Sequence, residues 1–381
     1  LNGYEGAETT PELSHIELQN VNMSHQNYRN WCNFTEAELA ILQDLGFNVD
    51  RRAYYGKSIY NSGTVDENEN IHYFTYDNDN AFNSTQMHGI GLHIYGSYVD
   101  VTQKAALNAG GEYGIGIRVD GMRNNVTIDE DITANNIGGN GLLVAYGKEH
   151  EITLSAGNTI EATGADGVAA RFDFGSNELG DQAGYRGSYI NVKYNDPNAD
   201  GDDEDEDEES VEGELLLAKS KSQEETQGSW VQDDLPDAID GALVENFNVA
   251  GKLIGNEAAI YISPNAYVKN INILEGAEIT GDIISEWNPN AIIYQNEDAE
   301  ESLAPLLPDD DDGLTHLNFG YASDASGNLL LNEQEQLVAD ANYTKELSNN
   351  ILGKDSLVID LWAGELKTSG TNNVNIVHVA D

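Results

Sequence analysis

The sequence predicts an all-β solenoid, because a short glycine-rich phrase recurs along it at nearly constant spacing. The phrase reads GIGLHIYGS at Gly89–Ser97 and returns as GIGIRVDGM, GNGLLVAYGK and the looser GVAARFDFGS. If Gly91, Gly116, Gly141 and Ala169 are equivalent positions, the steps between them are 25, 25 and 28 residues. A repeat this short cannot bury its own apolar face, so neighbouring repeats must stack on one another.

Apolar and polar residues alternate within each phrase, which is the periodicity of a β-strand. A second alternating run follows each phrase, as in Asn125-Val-Thr-Ile and Glu151-Ile-Thr-Leu, and no apolar period of 3.6 is evident over 89–176. Two or three short strands in each repeat fit a right-handed parallel β-helix, with glycines at corners that need a positive φ. We therefore expect Leu92, Ile117 and Leu142, or their immediate neighbours, to form one interior stack, with neighbouring repeats paired in parallel.

The N-terminal segment 1–56 differs from the repeats and contains the clearest helix pattern. Apolar residues at 39, 41, 42 and 45 share one helical face. Thr35 and Glu38 match a capping box, and Gly46 stands where a helix commonly ends. We predict a helix over 35–45, then a cap segment over 57–88, and the β-helix over 89–381, because the open end of a solenoid needs covering.

Two acidic insertions interrupt the strand pattern, at about 177–240 and 287–312. The first contains the run Gly201–Glu209 and the second ends in Asp309–Asp312. A block of like charge repels itself and resists packing, so we predict protruding loops. Strand patterns return over 243–253, 258–262 and 268–284 and continue over 314–319, 357–361 and 374–379. The last pattern has no visible cap, so we expect a removed segment beyond it or another molecule covering it.

Composition excludes several classes of protein. The chain has 67 acidic and 18 basic residues, a net charge of −49, which repels nucleic acid and anionic membrane surfaces. It has no run of about 18 apolar residues, so we do not expect a membrane-spanning helix. Cys32 is the only cysteine, which rules out an intramolecular disulfide. The sequence opens at Leu1 without a signal peptide, as expected for a processed fragment.

The repeat phrases resemble the passenger domains of Gram-negative autotransporters. The resemblance rests on segments such as GLLVAYG at 141–147, ARFDFG at 170–175 and ITGDII at 279–284, and extends over about 89–381. It implies a right-handed β-helix that is secreted or displayed on the cell surface of a Gram-negative bacterium.

The N-terminal segment carries a second resemblance. Asn20–Ser24 followed by Phe34–Phe47 resembles the C-terminal tail of a metzincin-type zinc protease, in which a Met-turn precedes the last helix. The resemblance implies that Met23 is the Met-turn methionine and that the zinc site lies upstream, since no H-E-x-x-H occurs in the chain. His15 and His25 flank Met23 but are too scattered to form a site by themselves.

Few residues form a pattern with evident chemistry. His88 and His93 lie five positions apart, so in a strand they point to opposite faces and are best read as surface or core histidines. An Arg-x-Asp pattern occurs at Arg118/Asp120 and again at Arg171/Asp173, and each pair shares one strand face. The intervening repeat has Leu143 and Ala145 instead, so we predict a structural charge ladder rather than a catalytic one.

The acidic blocks are candidates for diffuse Ca²⁺ binding, because hard cations take carboxylate oxygens. They match neither the D-x-[DN]-x-[DN]-G loop nor the G-G-x-G-x-D nonapeptide, so no discrete site and no cofactor is predicted. The candidate residues are Asp202, Asp203, Asp205, Asp207, Asp309, Asp310, Asp311 and Asp312.

The sequence thus favours a non-enzymatic extracellular β-helix that acts in adhesion, self-association or as a stalk. Its expected partners are its own copies or a protein or glycan of a host surface. Three alternatives stay open at this point: a carbohydrate-active β-helix enzyme, the C-terminal part of a secreted metalloprotease, and a subunit of an extracellular filament.

Overall fold

The computed structural model describes residues 31, 33–60, 70–73, 82–175, 192–195, 229–232, 241–288, 307 and 311–380. β-Strands dominate these residues, and the named strands pair in parallel with a single antiparallel exception. The fold of the described residues is therefore all-β and mostly parallel.

Two short helices precede the strands, α1 at Glu36–Asp44 and α2 at Arg51–Tyr54. α1 begins at the predicted capping box: Glu38 N donates to Thr35 Oγ1 at 3.3 Å, and Thr35 N donates to Glu38 Oε2 at 2.7 Å. Gly46 follows the helix with a φ of +90°. The predicted helix is confirmed, and its start is fixed by the two reciprocal hydrogen bonds.

The strands of successive repeats form three stacks. The first stack consists of β1 (Tyr55–Ile59), β4 (Ile90–Ile94), β7 (Ile115–Val119), β10 (Asn140–Val144) and β13 (Val168–Phe172). The second consists of β2 (Asn70–Tyr73), β5 (Asp100–Gln103), β8 (Asn125–Ile128), β11 (His150–Leu154), β16 (Val244–Val249), β18 (Val268–Ile273), β20 (Thr315–Phe319), β23 (Leu357–Leu361) and β26 (Ile376–Val379). The third consists of β3 (Phe82–Ser84), β6 (Leu107–Ala109), β9 (Ile132–Thr133) and β12 (Thr159–Ala162).

The first and third stacks are joined into one sheet by β17 (Lys252–Ile262), whose first part pairs with β12 and whose last part pairs with β13. β19 (Glu278–Ser285) pairs with β17, and β22 (Ile351–Leu352) and β25 (Asn372–Asn373) continue the sheet. β21 (Thr344–Leu347) and β24 (Glu365–Thr368) form a separate parallel pair. Three stacks, which also form the walls of the array, therefore enclose its cross-section, and β17 joins the first stack to the third.

The pairing register carries the period found in the sequence. Leu92 pairs with Ile117, Ile117 with Leu142, and Leu142 with Ala170, always in parallel. All four side chains are fully buried in the main core. The predicted interior stack and the predicted parallel pairing are confirmed. Each large side chain buried in this way contributes about 1.5–3 kcal/mol to folding.

The repeat glycines serve a different purpose from the one predicted for corner glycines. Gly91, Gly116 and Gly141 lie inside strands of the first stack, not at corners. A Cβ on Gly116 would overlap the side chain of Ile132, which projects from the third stack. These positions exclude a side chain because two walls approach each other closely there.

Positive φ angles do occur at the corners, but several belong to residues other than glycine. Tyr98, Arg123 and Glu149 have φ values of 56°, 52° and 53°, at steps of 25 and 26 residues. Gly121 and Gly147 supply positive φ values nearby. The expectation that glycines provide the corners is therefore right only in part, since the corner backbone recurs even where a side chain makes it costly.

The segments outside the regular repeats have distinct places. β1 begins two residues before the predicted cap segment 57–88, and β2 and β3 lie within that segment. The three strands pair with β4, β5 and β6 as one more repeat. Within the first acidic insertion, β14 (Val192–Asn195) and β15 (Ser229–Gln232) form the antiparallel pair. The run Gly201–Glu209 lies outside the described residues.

Candidate functional site

The two predicted Arg-x-Asp pairs lie on the outer face of the first stack. Arg118 pairs in register with Leu143, and Leu143 with Arg171. We call each successive strand of a stack a rung. One rung with an apolar side chain therefore separates the two pairs, as the sequence indicated. The residues do not converge on a common site. Each pair has its own set of contacts, and the two differ in burial.

The first pair belongs to a buried cluster with His93. Asp120 Oδ2 lies 2.6 Å from His93 Nε2 and 2.8 Å from Arg118 Nε. Burial alone would raise the pKa of Asp120, but the Arg118 charge and the hydrogen bond to His93 outweigh it and hold that pKa below its ordinary value. Burial lowers the pKa of His93 against the opposing effect of Asp120. The cluster is therefore an ionised carboxylate held by a guanidinium and a neutral imidazole.

The N-terminal segment covers this cluster. Leu39 of α1 packs with Tyr55, Ile90 and Leu143 on the outer face of the first stack. Arg118 Nη2 donates to the carbonyl oxygen of Trp31 at 2.8 Å. All three members of the cluster have side chains no more than 1 % exposed. Because no substrate can reach them in this arrangement, the geometry suits an anchor for the N-terminal segment.

The second pair is only partly buried. Arg171 Nε donates to Asn140 Oδ1 at 2.8 Å, its Nη1 lies 3.5 Å from Asp173 Oδ2, and its guanidinium covers the ring of Tyr261. Burial raises the pKa of Asp173 in spite of several hydrogen bonds. This pair is a partly exposed ion pair whose arginine also stacks on an aromatic ring.

A groove with a volume of about 610 Å³ lies on the outer face of the second stack. It crosses four consecutive strands, β5, β8, β11 and β16, and its far side is formed by a chain segment that we call the arm, residues 321–339. The groove is lined by Asp100, Arg123, Asn125, Glu149, Glu151, Thr153, Glu245, Asn248, Asn328 and Leu329.

Three of these side chains form a column along the groove. Asp100 pairs in register with Asn125, and Asn125 with Glu151, so they occupy successive rungs of the second stack. The inward neighbours Val101, Val126 and Ile152 are buried in the core. Alternation along a strand therefore turns the three polar side chains outward, at a strand spacing of about 4.8 Å.

Charge in the groove is partly compensated. Arg123 Nε lies 2.6 Å from Glu149 Oε2, and Lys269 Nζ lies 2.9 Å from Glu245 Oε1. Among the described residues, no cation lies within salt-bridge distance of Asp100 or Glu151.

Glu151 is the titratable group that the groove perturbs most. Burial raises the pKa of Glu151 to about 7, although Asn246 Nδ2 donates to its Oε1 at 2.9 Å. Near neutral pH the protonated form of Glu151, which can donate as well as accept a hydrogen bond, is therefore populated beside the ionised form, which only accepts.

The floor of the groove is fixed by an asparagine ladder. Asn248 Nδ2 donates to Thr153 Oγ1 at 3.2 Å, Asn272 Nδ2 donates to Asn248 Oδ1 at 2.8 Å, and Asn318 Nδ2 donates to Asn272 Oδ1 at 3.0 Å. The ladder crosses four neighbouring strands and satisfies buried amide groups in turn. It holds the polar floor in one arrangement.

The arm is built from two similar turns. Asp324 Oδ1 accepts hydrogen bonds from the backbone N–H groups of Ser326 and Asn328 at 2.8 and 2.9 Å. Asn332 Oδ1 accepts in the same way from Gln334 and Gln336 at 2.9 and 3.0 Å. A Cβ on Gly327 would lie 2.7 Å from Ala250 Cβ, so this glycine lets the arm approach the second stack. The wall of the groove is thus ordered before any ligand binds.

A second polar cluster lies at the far end of the second stack. Asp360 of β23 lies 2.6 Å from His316 Nδ1 of β20 and 2.8 Å from His378 Nδ1 of β26. His316 Nε2 also lies 3.1 Å from Asp312 Oδ2. The hydrogen bond to Asp360 raises the pKa of His316, against the lowering caused by partial burial. Because both imidazoles contact the Asp360 carboxylate, the cluster links the strands β20, β23 and β26.

The calcium candidates fall into two groups. Asp202, Asp203, Asp205, Asp207, Asp309 and Asp310 lie outside the described residues. Asp311 accepts a hydrogen bond from Tyr267 Oη at 2.6 Å, and Asp312 accepts one from the backbone of Leu314 at 2.9 Å. In the described part of the chain, no three His, Cys, Asp or Glu side chains are grouped so that they could hold a metal ion.

The remaining predicted residues are easily placed. His88 is exposed and stacks on Tyr113. His15, Met23, His25 and Cys32 lie outside the described residues. The groove residues were not singled out from the sequence. Asp100 and Asn125 open the second strand of their repeats and Glu151 is the second residue of β11, so their position near the start of that strand was the available signal. The arm carries no repeat phrase and had no such signal.

Comparison with known protein families, curated proteins and solved structures finds no match to this chain. Within the described residues, no helix has the length and apolar character needed to cross a membrane. The case for a function therefore rests on the array and its groove.

Proposed function

We propose that the chain is a right-handed parallel β-helix that works outside the cell, at the surface of a Gram-negative bacterium, in the manner of an autotransporter passenger domain. The parallel stacks and the 25-residue register support the β-helix. Connections between parallel strands of one sheet are right-handed in about 98 % of cases, which supports the handedness. The charge of −49 and the single cysteine suit a soluble exported surface.

The role proposed for it is adhesion through the outer face of the second stack. The observation that carries this proposal is the groove, a polar cavity of about 610 Å³. Nine stacked strands extend over roughly 40 Å at the usual strand spacing, so the face is long as well as concave. A partner bound there gains polar contacts from several rungs at once.

Self-association is a second candidate role, favoured by β26. Ile376, Val377 and Val379 are 37 %, 58 % and 65 % exposed, and the second edge of β26 pairs with no described strand. An apolar strand with a free edge is a template for a strand of another chain.

The adhesion proposal is tested with beads that carry the full chain. Asn125 is exposed in the groove, so Asn125→Trp fills the cavity without touching the core. Asn108→Trp is the control, since Asn108 is also exposed and lies on β6 of the third stack, where its Nδ2 donates to Asn83 Oδ1 at 2.9 Å. Adhesion of beads to an epithelial cell layer should fall about tenfold with Asn125→Trp, equivalent to about 1.4 kcal/mol, and be unchanged with Asn108→Trp. Equal adhesion by both variants would contradict a role for the groove.

A further inference from the structure

We infer that the groove binds a neutral oligosaccharide, laid along the column formed by Asp100, Asn125 and Glu151. This inference rests on the proposed contact function and names the chemical class of the partner.

The size and lining of the cavity set the first limit on the ligand. Ligand pockets have volumes of about 300–1,000 Å³ and are mostly apolar. The groove has a suitable volume of about 610 Å³, but Leu329 is the only apolar side chain among its lining residues. A ligand that replaces water on this surface must carry a dense set of hydroxyl or amide groups, because each polar group left without a hydrogen bond costs about 1–3 kcal/mol.

The spacing of the side chains along the column sets the second limit on the ligand. The carboxylate, carboxamide and carboxyl groups of the column are planar and can each exchange more than one hydrogen bond with neighbouring hydroxyls. They recur at a spacing of about 4.8 Å, comparable to the length of one ring in an extended chain of sugars. Among the described residues, no hydrogen bond engages the side chains of Asp100 or Asn125. The column therefore offers unused donors and acceptors in register with the repeat of a glycan.

Electrostatics sets the third limit. The groove's own cation Arg123 and the neighbouring Lys269 each face a carboxylate, so the groove offers no free positive charge to a phosphate or sulfate group. The net charge of −49 opposes any anionic ligand further. Asp100 and Glu151 are two rungs apart, roughly 10 Å between Cα atoms, which is too far for one metal ion with ligands at about 2.3–2.6 Å. These conditions disfavour an anionic ligand and a single metal ion held by both carboxylates. The dense hydroxyl or amide groups that the polar lining requires then favour an uncharged sugar chain over a polyamine, whose only polar groups are its amines.

The arm adds preorganisation. Its turn at Asp324 is closed by three hydrogen bonds, two of them to the backbone N–H group and the side chain of Asn328. Asn328 lines the groove opposite the column. Because this wall is already ordered, binding does not have to immobilise it, which lowers the entropic cost of association.

The test measures binding of the full chain to a panel of short neutral oligosaccharides built from glucose, galactose, mannose or N-acetylglucosamine, by calorimetry. Spermine and a sulfated heparin fragment are the charged probes. We expect binding to at least one neutral oligosaccharide, weakened about tenfold or more by Asn125→Ala, which is about 1.4 kcal/mol. Asn108→Ala is the matched control and should bind as the unmodified chain does. Glu151→Gln provides a second groove variant if Asn125→Ala fails to fold.

Two results would overturn the inference. One is binding to no neutral oligosaccharide, including the case in which only spermine binds and the ligand is a polyamine. The other is neutral binding that both groove variants leave intact. If beads still adhere through the groove while the whole neutral panel is negative, the inference fails and the contact function stands. If adhesion and self-association are both absent, the contact function fails.

Discussion

Asp120 of one rung and His93 of the preceding rung are joined by a 2.6 Å contact between Oδ2 and Nε2, although 27 residues separate them in sequence. Arg118 Nε donates a hydrogen bond to the same carboxylate, and Arg118 Nη2 donates one to the carbonyl oxygen of Trp31. The buried ion pair of Arg118 and Asp120 thus links the N-terminal segment to the first stack.

Removal of Arg118 should destabilise the protein strongly. Arg118→Ala leaves the Asp120 carboxylate buried without its cation, which costs about 3–5 kcal/mol. The free energy of unfolding from urea titration measures the loss. Arg171→Ala is the matched control, and its loss should be smaller because Arg171 is partly exposed. Equal losses for the two variants would mean that burial of the Arg118 charge is unimportant.

The glycine column should not tolerate even a methyl group. Gly116→Ala places a Cβ against Ile132 of the opposite wall, an overpacking that costs about 1–3 kcal/mol. Gly110→Ala is the control, because its Cβ would approach no atom closer than 3.3 Å. Thermal melts of both variants distinguish the two positions. A melt of Gly116→Ala at the temperature of the unmodified chain would contradict the close approach of the walls.

The last rungs should be most stable in mild acid. The pKa of His316 is raised above its ordinary value of 6.5, so its contribution is complete below 6.5 and is lost as pH rises through the raised value. Burial alone would raise the pKa of Asp360, but the bonds from His316 and His378 hold it below its ordinary 3.8, so its contribution is complete above 3.8 and is lost in stronger acid. Protection factors for amide hydrogen exchange in β23 and β26, which correct for the pH dependence of the intrinsic exchange rate, should therefore be largest between these values.

The histidine that controls this behaviour can be identified by substitution. His316→Gln should flatten the pH dependence of the protection factors in β26, while His88→Gln, at an exposed histidine in an early repeat, should leave it unchanged. A pH profile that His316→Gln does not alter would show that other groups hold the last strand.

Glu151 should make the protein less stable as pH rises. The folded pKa of about 7 lies above the ordinary 4.5, so the stability gained from the protonated form is present below 4.5 and is lost between 4.5 and about 7. Glu151→Gln removes this loss and should stabilise the protein at pH 8 by roughly 1–3 kcal/mol relative to the unmodified chain. Urea titrations at pH 5 and pH 8 measure the difference. A larger gain at pH 5 than at pH 8 would contradict the raised pKa.

Self-association should strengthen with salt. The charge of −49 repels a second copy at low ionic strength, and salt screens that repulsion to a distance of about 10 Å at 0.1 M. Light scattering across a series of NaCl and CaCl₂ concentrations should show larger species at higher salt, and Val377→Lys on the exposed strand should reduce them. A monomer at every salt concentration would leave adhesion as the only proposed role.

Much of the array could be predicted from the sequence because the two patterns that specify it, alternation of apolar residues and a constant repeat spacing, can be read directly from the chain. Alternation at Leu92 and Ile117 sets which side chains face inward, and the constant step sets which rungs pair. The helix over 36–44 was likewise recognisable from Thr35 and Glu38, because a capping box needs only four residues.

The candidate site depends on long-range packing and was harder to predict. Nothing near Asp100 in the sequence indicates that Asn328, more than 200 residues later, forms the opposite wall of the same groove. The raised pKa of Glu151 comes from that packing and not from its neighbours in the chain. The role of Gly116 was also hidden, because its steric limit is imposed by Ile132 on another wall.

The constant register has a consequence for how such a chain can change in length. Because Leu92, Ile117 and Leu142 pair at a step of 25 residues, duplication or loss of one whole repeat moves every later strand by one rung and preserves its inward and outward faces. The array can therefore grow or shrink in increments of about 4.8 Å without a new core. Unequal recombination between the repeats would then lengthen or shorten the array by whole repeats.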